Sequence, residues 1–376
     1  MELDKEKLVS VIVLSHNSRA TISRALHSIF VQDYSRIEVV ISDDGSEDFS
    51  QQYVEGLVAS SKGGNIERVT IVANDRNQGT VSNLWKALDA IRGDYFLVIG
   101  ADDTLACKTS IADYMNTFAC RFWKPLLVTG LAEVWSEDMN VLDRTIPEGS
   151  GRVALQREDP DLLLNALAYE CTIPIAATCF HRSFVDKVNA FDCSYRYCED
   201  HPTFIRMASK GIAPAYLGKV MVKCVAGETT NENSPKEAAD LYADRQRMWK
   251  MELGPHRRHL TEESRGRNRE RRQWEKQVCR KSKRAKKSVF KSAYDIADSI
   301  KKLFTTKAVH RSMQSFRFTI LLLLLCVAFG CVGGIWGALF AVFAFFGTVL
   351  AFCFLWFIGF GGFRLMKRAL AWRRGQ

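Results

Sequence analysis

This chain lacks the sequence patterns that would assign a nucleotide or metal site at once. No Gly-x-Gly-x-x-Gly follows the first predicted strand and no Gly-x-x-x-x-Gly-Lys-Ser/Thr occurs, so the dinucleotide fingerprint and the P-loop are excluded. The 11 cysteines include no Cys-x-x-Cys pair and no ligand-like spacing with histidine. The first ten residues, MELDKEKLVS, lack the apolar centre of a signal peptide. We therefore expect reduced cysteines and a first domain on the cytosolic side of a membrane.

Positive charge is concentrated in a single segment. Residues 256–287 hold 14 Lys or Arg against 4 Asp or Glu, an excess of 10 that equals the formal charge of +10 of the whole chain. The remainder is neutral, so the sequence predicts a basic segment and not a basic domain. Taken alone, this segment could be a nucleic-acid tail, a solvated helix or a membrane-surface segment.

A long uncharged stretch follows and favours the membrane. Residues 318–363 contain no charged side chain over 46 residues. One helix of that length would run about 69 Å against roughly 30 Å of hydrocarbon, so we expect a two-helix hairpin with a turn near 330–337. Basic residues flank both ends, which predicts that both ends are cytosolic. Apolar residues at helical spacing from Ser288 onward predict an amphipathic helix in the interface, with a core-packing helix as the alternative.

The first hundred residues alternate apolar strands with amphipathic helices. Strands are predicted at 9–14, 37–42, 69–73 and 95–99, with helices at 21–31, 49–59 and 81–91 between them. This alternation indicates βαβ units and an α/β fold with a parallel sheet.

Polar groups follow three of these strands. They are Ser15-His16-Asn17, Asp43-Asp44 and Asp102-Asp103. Because ligands of open α/β sheets bind outside the carboxyl ends of the strands, we expect these groups to form a site. The adjacent carboxylates of Asp102 and Asp103 disfavour each other's ionisation unless a cation offsets the repulsion, and a divalent ion carrying phosphate oxygens would do so. A solvated acidic turn is the alternative. The sequence assigns His16 no chemical role.

Four stretches in order resemble family 2 glycosyltransferases of the GT-A fold. They are VSVIVLSHN, VVISDDGSED, NQGTVSN and GDYFLVIGADD, and the similarity continues to Tyr197-Cys198-Glu199-Asp200, which resembles the family's ED motif. The resemblance covers roughly the first 230 residues. It implies a Rossmann-like, mostly parallel sheet with helices on both faces, a nucleotide-sugar donor, and inversion at the anomeric carbon.

The resemblance also implies roles for particular residues. Asp103 would bind a divalent metal (Mg²⁺ or Mn²⁺) with Asp102 near the metal and the ribose, and Asp200 would be the general base, beside Glu199. The remaining donor-binding candidates are Ser15, Asn17, Asp43, Asp44, Asn77 and Gly79. An attacking hydroxyl approaches the sugar from the face opposite the leaving nucleotide, so the base must come from a distant part of the chain, as Asp200 does.

The chain departs from the family at three points. Gly100 stands where many members have the first Asp of Asp-x-Asp-Asp, no histidine occurs in residues 222–230 as a further metal ligand, and the Gln-x-x-Arg-Trp signature of processive synthases is missing. The last departure predicts transfer of a single sugar. Sugar transfer to a polyprenyl phosphate is one alternative, and a catalytically inactive, sugar-binding membrane scaffold is another.

These expectations define a domain order and a set of partners. We predict a GT-A domain (1–253), a basic linker (254–287), an interfacial amphipathic helix (288–312), a transmembrane hairpin (317–364, with spans near 318–335 and 338–361) and a basic cytosolic tail (365–376). The expected partners are a nucleotide sugar, a glycan or lipid-linked acceptor, and anionic lipid headgroups at the basic segment, with no nucleic acid. The expected location is the plasma membrane, with the catalytic domain in the cytosol.

Overall fold

The computed structural model describes residues 7–225 and 235–279, and nine strands of this part form one mixed sheet in the order β3-β2-β1-β4-β8-β6-β9-β5, with β7 paired to β6. The strands are β1 (Val9–Ser15), β2 (Ile37–Asp43), β3 (Ile66–Ala73), β4 (Tyr95–Gly100), β5 (Thr104–Leu105), β6 (Leu127–Trp135), β7 (Leu142–Ile146), β8 (Thr178–His181) and β9 (Ala215–Val225).

Helices connect most of these strands. They are α1 (Ile22–Phe30), α2 (Gln51–Ser61), α3 (Thr80–Leu88), α4 (Ser110–Cys120), α5 (Gly149–Arg157), α6 (Pro160–Leu167), α7 (Ser183–Val188), α8 (His201–Ser209), α9 (Pro235–Met248) and α10 (262–279). Short turns of other helix types cover Ile175–Ala177, Trp249–Leu253 and Gly254–His259.

The first half of the sheet is parallel, as predicted. Strands β3, β2, β1 and β4 pair side by side in parallel, each separated from the next along the chain by a helix. Side chains of β1 alternate between two cores: Ile12 packs with α3 on one face, and Val11 and Val13 pack with α1 on the other. Because both faces of β1, β2 and β4 are buried, these strands are mostly apolar, which made them visible in the sequence, whereas β3 at the edge of the sheet is only partly buried.

The second half of the sheet is mixed, so the prediction of a mostly parallel sheet is wrong for the whole. Strand β8 is antiparallel to β4 and β6, β7 is antiparallel to β6, and β9 is parallel to β6 but antiparallel to β5. Strands β6 and β7 are joined by a short turn, which permits only an antiparallel pair, whereas parallel neighbours need a long crossover.

An aromatic cluster fixes the start of α8 to this half of the sheet. Phe180 of β8 lies 5.1 Å from Phe96 of β4 and 6.5 Å from Phe204 of α8, measured between ring centroids. All three rings are fully buried. The residues that precede α8, Glu199 and Asp200, are therefore held at a defined place against the sheet.

The boundary predicted at residue 253 differs from the structure. Residues 7–225 and 235–279 belong to one compact unit, and the described part of the predicted linker packs within it. Trp249 Nε1 donates to Glu275 Oε2 at 3.0 Å, Asn268 Nδ2 donates to the carbonyl of Ala168 at 2.6 Å, and Leu260 is buried. The sequence indicated a solvated linker because arginines outnumber the few side chains of this segment that point into the core.

Among residues 7–225 and 235–279, no helix is both long and apolar enough to cross a membrane. The predicted interfacial helix (288–312), transmembrane hairpin (317–364) and tail (365–376) lie outside the described residues.

Candidate active site

The carboxyl ends of β1, β2 and β4 lie side by side at one edge of the sheet. Ser15 is in register with Asp43, and Leu14 is in register with Gly100. The loops continue this pairing, because the amide of Asp44 donates to the carbonyl of Ser15 at 2.9 Å. The structure thus brings together the strand ends that the sequence singled out, while their roles in donor binding stay predictions.

Asp43 and Asp44 are buried and already hold fixed hydrogen-bond donors. Asp43 accepts from the amide and the hydroxyl of Ser46, at 2.9 and 2.5 Å. Asp44 accepts from Asn74 Nδ2 at 3.0 Å and, at 2.8 Å each, from the amides of Gln78 and Gly79. Because a carboxylate offers about four lone-pair sites, Asp43 keeps some capacity for a ligand, whereas Asp44 chiefly fixes the loop that contains Asn77 and Gly79.

His16 ties three loops together, a role that the sequence did not reveal. Its Nδ1 lies 3.1 Å from the carbonyl of Asp44, which can only accept, so Nδ1 carries the proton. Nε2 then accepts from the side-chain amides of Asn17 and Asn77, both at 3.3 Å. The His16 side chain therefore orients two of the predicted donor-binding residues.

Asp102 and Asp103 fold back over Gly100. A Cβ at position 100 would lie 2.5 Å from Asp102 Oδ1 and 3.1 Å from Asp103 Oδ2, so the two carboxylates occupy the space of the aspartate that the family often has there. Asp102 is exposed and Asp103 is half-buried. Burial and the neighbouring charge of Asp102 raise the pKa of Asp103 to about 7, although the Gly100 amide donates to it at 3.1 Å.

Cys224 of β9 is a further residue of this site that sequence reasoning missed. Its thiol donates to Asp103, and burial followed by the charge of Asp103 raises the thiol pKa well above its usual range. The contact follows from the pairing of Thr104 with Lys223 between β5 and β9. A two-residue strand that pairs across more than a hundred residues leaves no local signal in the sequence.

The acidic pair fits a metal ion of the magnesium type. Mg²⁺ is usually held by one or two carboxylates together with the phosphates of a substrate. Among the described residues, no group of three or more His, Cys, Asp or Glu side chains could hold a metal ion. Asp102 and Asp103 would therefore supply the protein's share of the ligands, and the raised pKa of Asp103 marks a carboxylate whose charge is not yet balanced.

Glu199 and Asp200 precede α8 and form a second poorly compensated pair. Asp200 Oδ1 accepts from the amide of His201 at 2.6 Å, and Asp200 Oδ2 accepts from the Cys171 thiol at 3.4 Å. Glu199 Oε2 is buried and has no hydrogen-bond partner among the described residues. Burial and the adjacent charge of Asp200 raise the pKa of Glu199 to about 8.

The fold and the site define an α/β protein with uncompensated acids at the carboxyl edge of its parallel strands and at the start of a later helix. Residues 10–111 match the model of the glycosyl transferase family 2, so this part of the chain is similar to that family. The matched range contains the candidate residues from Ser15 to Asp103, whereas Glu199 and Asp200 lie beyond it.

Two similar proteins match this chain over short stretches. An uncharacterized glycosyltransferase of Haemophilus influenzae is 33% identical over 96 residues (26% of this chain), and the succinoglycan biosynthesis protein ExoO of Rhizobium meliloti is 33% identical over 103 residues (27% of this chain). Each match spans 28% of that relative's length. The crystal structure of S. aureus TarS 1–349 in complex with UDP-GlcNAc aligns with a TM-score of 0.49 and 18% identity, over 64% of this chain and 66% of that one.

Proposed function

We propose that this protein transfers one sugar from a nucleotide-diphospho-sugar to a glycan or lipid-linked saccharide at a membrane, with inversion at the anomeric carbon. The observation that carries the proposal is the placement of two acidic pairs: Asp102 and Asp103 fold over Gly100 at the sheet edge, and Glu199 and Asp200 lie before α8, where Glu199 Oε2 is buried without a hydrogen-bond partner among the described residues. The saccharide acceptor has support from the description of ExoO as a succinoglycan biosynthesis protein.

Asp200 is the general base in this proposal. The oxygen of an acceptor hydroxyl forms a bond to the anomeric carbon while the bond from that carbon to the diphosphate oxygen breaks, and the hydroxyl proton passes to Asp200. The His201 amide holds one oxygen of this carboxylate. The thiol of Cys171 is a weak donor to the other oxygen, which therefore keeps a lone pair for the proton.

Asp103, with Asp102, would hold a divalent metal ion beside the diphosphate. When bound, the metal ion would stabilise the negative charge of the departing nucleoside diphosphate. Asp43, Asn17 and Asn77 would orient the nucleoside, since the hydrogen bonds of Asp44 and His16 fix the loops that carry them.

We also propose that the chain is anchored in the plasma membrane by the hairpin at 317–364, with the catalytic domain in the cytosol. Support comes from the uncharged run and from the basic residues at both of its ends. Labelling of a Gly375→Cys variant, in a background without other reactive thiols, should occur only after intact cells are opened. Labelling of residue 375 from outside would contradict this topology.

The proposed base is tested with the full-length protein in detergent, supplied with a panel of UDP-, GDP- and CDP-sugars and Mg²⁺ or Mn²⁺. We expect Asp200→Asn to lower turnover by about 10²-fold or more, because the proton acceptor is lost. Its melting temperature should stay near the native value, since Asn can accept the His201 amide as Asp does.

Asp186→Asn is the matched control, because Asp186 lies near the start of a helix, α7, as Asp200 lies at the N-cap of α8, and Asp186 is exposed. It should leave turnover unchanged. If Asp200→Asn melts normally and transfers sugar at the native rate, Asp200 is a helix cap and the base lies elsewhere. If the native protein turns over no donor of the panel, the inactive scaffold is the better interpretation.

A further inference from the structure

Arg196 lies against the loop predicted to bind the donor, although it is far from that loop in sequence. Its backbone is held from two sides: its amide donates to Asp244 Oδ2 at 2.8 Å, and its carbonyl accepts from the amide of Val81 at 3.2 Å. Gly79 has a φ of +96°, and a Cβ there would come within 2.6 Å of the Arg196 carbonyl oxygen. Glycine thus allows Arg196 to approach the start of α3 closely.

The guanidinium group of Arg196 has weak partners. Its Nη2 lies 3.3 Å from the carbonyl and 3.4 Å from Oδ1 of Asn77, and its Nη1 lies 4.0 Å from Asp240 Oδ2. Its Nε is buried and has no hydrogen-bond partner within the described part of the chain. Arginine presents a planar fork of donors that suits a carboxylate or a phosphate, and here the fork has neither at hydrogen-bond distance.

Arg206 shows how a structural arginine of the same region is bound. Its Nε and Nη2 donate to the two oxygens of Glu252 at 3.0 and 2.7 Å, and Asp192 lies 3.5 Å from Nη2. The side chain of Arg206 is 13% exposed, against 36% for Arg196. The comparison indicates that neighbouring residues bind the Arg196 side chain less tightly than that of Arg206, so Arg196 keeps hydrogen-bond donors for a ligand.

The surroundings of Arg196 match an anionic ligand. Asn77, which it contacts, also donates to His16, and His16 bridges the loops that carry Asn17 and Asp44. The carboxylates of Asp43 and Asp44 already hold donors from their own loops. The guanidinium of Arg196 therefore has only a long ion pair with Asp240, at 4.0 Å, and a contact with the Tyr197 ring, 5.2 Å from the ring centroid, as charge partners among the described residues. A cation at this edge, next to residues that would hold a nucleoside, is suited to the diphosphate attached to that nucleoside.

We propose that Arg196 is a donor-binding residue whose guanidinium contacts the diphosphate of the nucleotide sugar. The inference rests on the proposed function and adds to it a cationic contact supplied by the chain before α8. The same contact links the two acid sites, because Arg196 touches the donor loop while the residues that follow it, Glu199 and Asp200, begin α8. Binding of the donor would therefore also bear on the position of the proposed base.

The test compares ligands that differ in the diphosphate alone. Binding of UDP and uridine, and of GDP and guanosine, is measured by titration calorimetry on the full-length protein in detergent, for the native chain and for Arg196→Gln. Whichever nucleoside diphosphate the native protein binds, we expect Arg196→Gln to lower the affinity for it by about 10- to 100-fold. A hydrogen bond to a charged group contributes roughly 1.5–3 kcal/mol. The matching nucleoside should bind within about twofold of native.

Two further variants guard against a structural explanation. Arg196→Lys keeps the charge but lacks the planar fork of donors. Its affinity for the nucleoside diphosphate should therefore lie between those of the native protein and Arg196→Gln. Arg182→Gln removes an arginine at the opposite edge of the sheet, where the Arg182 amide donates to the carbonyl of Asp94, and should bind the nucleoside diphosphate as the native protein does. Melting temperatures of all three variants should agree with the native value within a few degrees.

Each result decides the matter. Equal losses for the nucleoside and its diphosphate would show that Arg196 shapes the nucleoside site and would overturn the proposal, as would native affinity for the diphosphate in Arg196→Gln. If the native protein binds none of these nucleotides while its melting temperature is normal, the proposed function fails, and this inference fails with it.

Discussion

Two pairs of adjacent aspartates stand at the same edge of the sheet and differ in how their charge is compensated. Asp43 and Asp44 are buried and accept five hydrogen bonds in all from Ser46, Asn74, Gln78 and Gly79. Asp102 and Asp103 have fewer donors, and burial together with mutual repulsion raises the pKa of Asp103 to about 7. In sequence the two pairs look alike. The structure separates an acid pair that holds loops from one that remains available to a cation.

The pair before α8 belongs with the second kind. Glu199 has a buried oxygen without a partner, and its pKa is raised to about 8 by burial and by Asp200. A buried carboxyl without a hydrogen-bond partner is costly, and ionisable groups with displaced pKa values concentrate at functional sites. The contrast can be tested by changing one acid of each pair to its amide.

The largest effect is expected for Asp103→Asn. An amide is a weaker ligand for a divalent cation, so turnover with Mg²⁺ or Mn²⁺ should fall by about 10²-fold or more, and metal-dependent binding of a nucleoside diphosphate should weaken. The melting temperature should not fall, because the variant removes a repulsion between neighbouring carboxylates. Turnover assays, calorimetry with and without metal, and circular dichroism measure these three quantities.

The metal assignment fails on either of two results. One is native turnover in the Asp103→Asn variant. The other is undiminished turnover of the native protein in the presence of a chelator.

Asp44→Asn should give the reverse pattern, with the main loss in stability. The amide keeps one acceptor oxygen where the carboxylate served Asn74, Gln78 and Gly79, and its NH₂ group would face backbone donors. Leaving buried donors without an acceptor costs about 1–3 kcal/mol, which corresponds to a fall in melting temperature of roughly 2–12 °C. Turnover measured well below that temperature should fall less than in Asp103→Asn.

Asp75→Asn is a suitable control for this change, because Asp75 is exposed in the loop after β3. It should melt as the native protein does. A variant at position 44 that melts normally but no longer turns over would move Asp44 from the loop-holding pair to the reactive one, and the contrast between the two pairs would be lost.

The parts of this molecule that could be read from sequence are those built by local patterns. The four strands β1 to β4, the helices between them and the acidic ends of β2 and β4 all follow from short-range periodicity. Cys224 lies beside Asp103, although the two are 121 positions apart in the chain. Asp244 contacts Arg196 across 48 positions. No local pattern encodes such contacts, so the thiol beside Asp103 and the arginine beside Asn77 became visible only with the fold.

The role of His16 shows the same limit on a smaller scale. A single histidine after a strand has many possible roles, and its sequence neighbours do not choose among them. Three hydrogen bonds to Asp44, Asn17 and Asn77 make it a bridge between loops, and two of these partners come from other βα units.

The smallest expected effect concerns Glu199 and depends on pH. The pKa of Glu199 is about 8 in the folded protein against an ordinary value of 4.5, so the folded state binds this proton more tightly than the unfolded state. Its contribution to stability is therefore complete below about pH 4.5 and is lost as the pH rises through 8. Besides burial, the charged groups that raise the pKa of Glu199 are Asp200 and Asp244.

Glu199→Gln keeps the shape of the side chain but cannot ionise. We expect the variant to melt close to the native temperature at pH 5 and a few degrees above it at pH 9, where the native protein must bury a second negative charge beside Asp200. Glu170→Gln, at an exposed acid, should follow the native curve at both pH values. Turnover of Glu199→Gln should fall less than that of Asp200→Asn, because the proposed base is retained. If Glu199→Gln and the native protein lose stability equally between pH 5 and 9, Glu199 is ionised in the folded state at neutral pH, and the pair before α8 is compensated like Asp43 and Asp44.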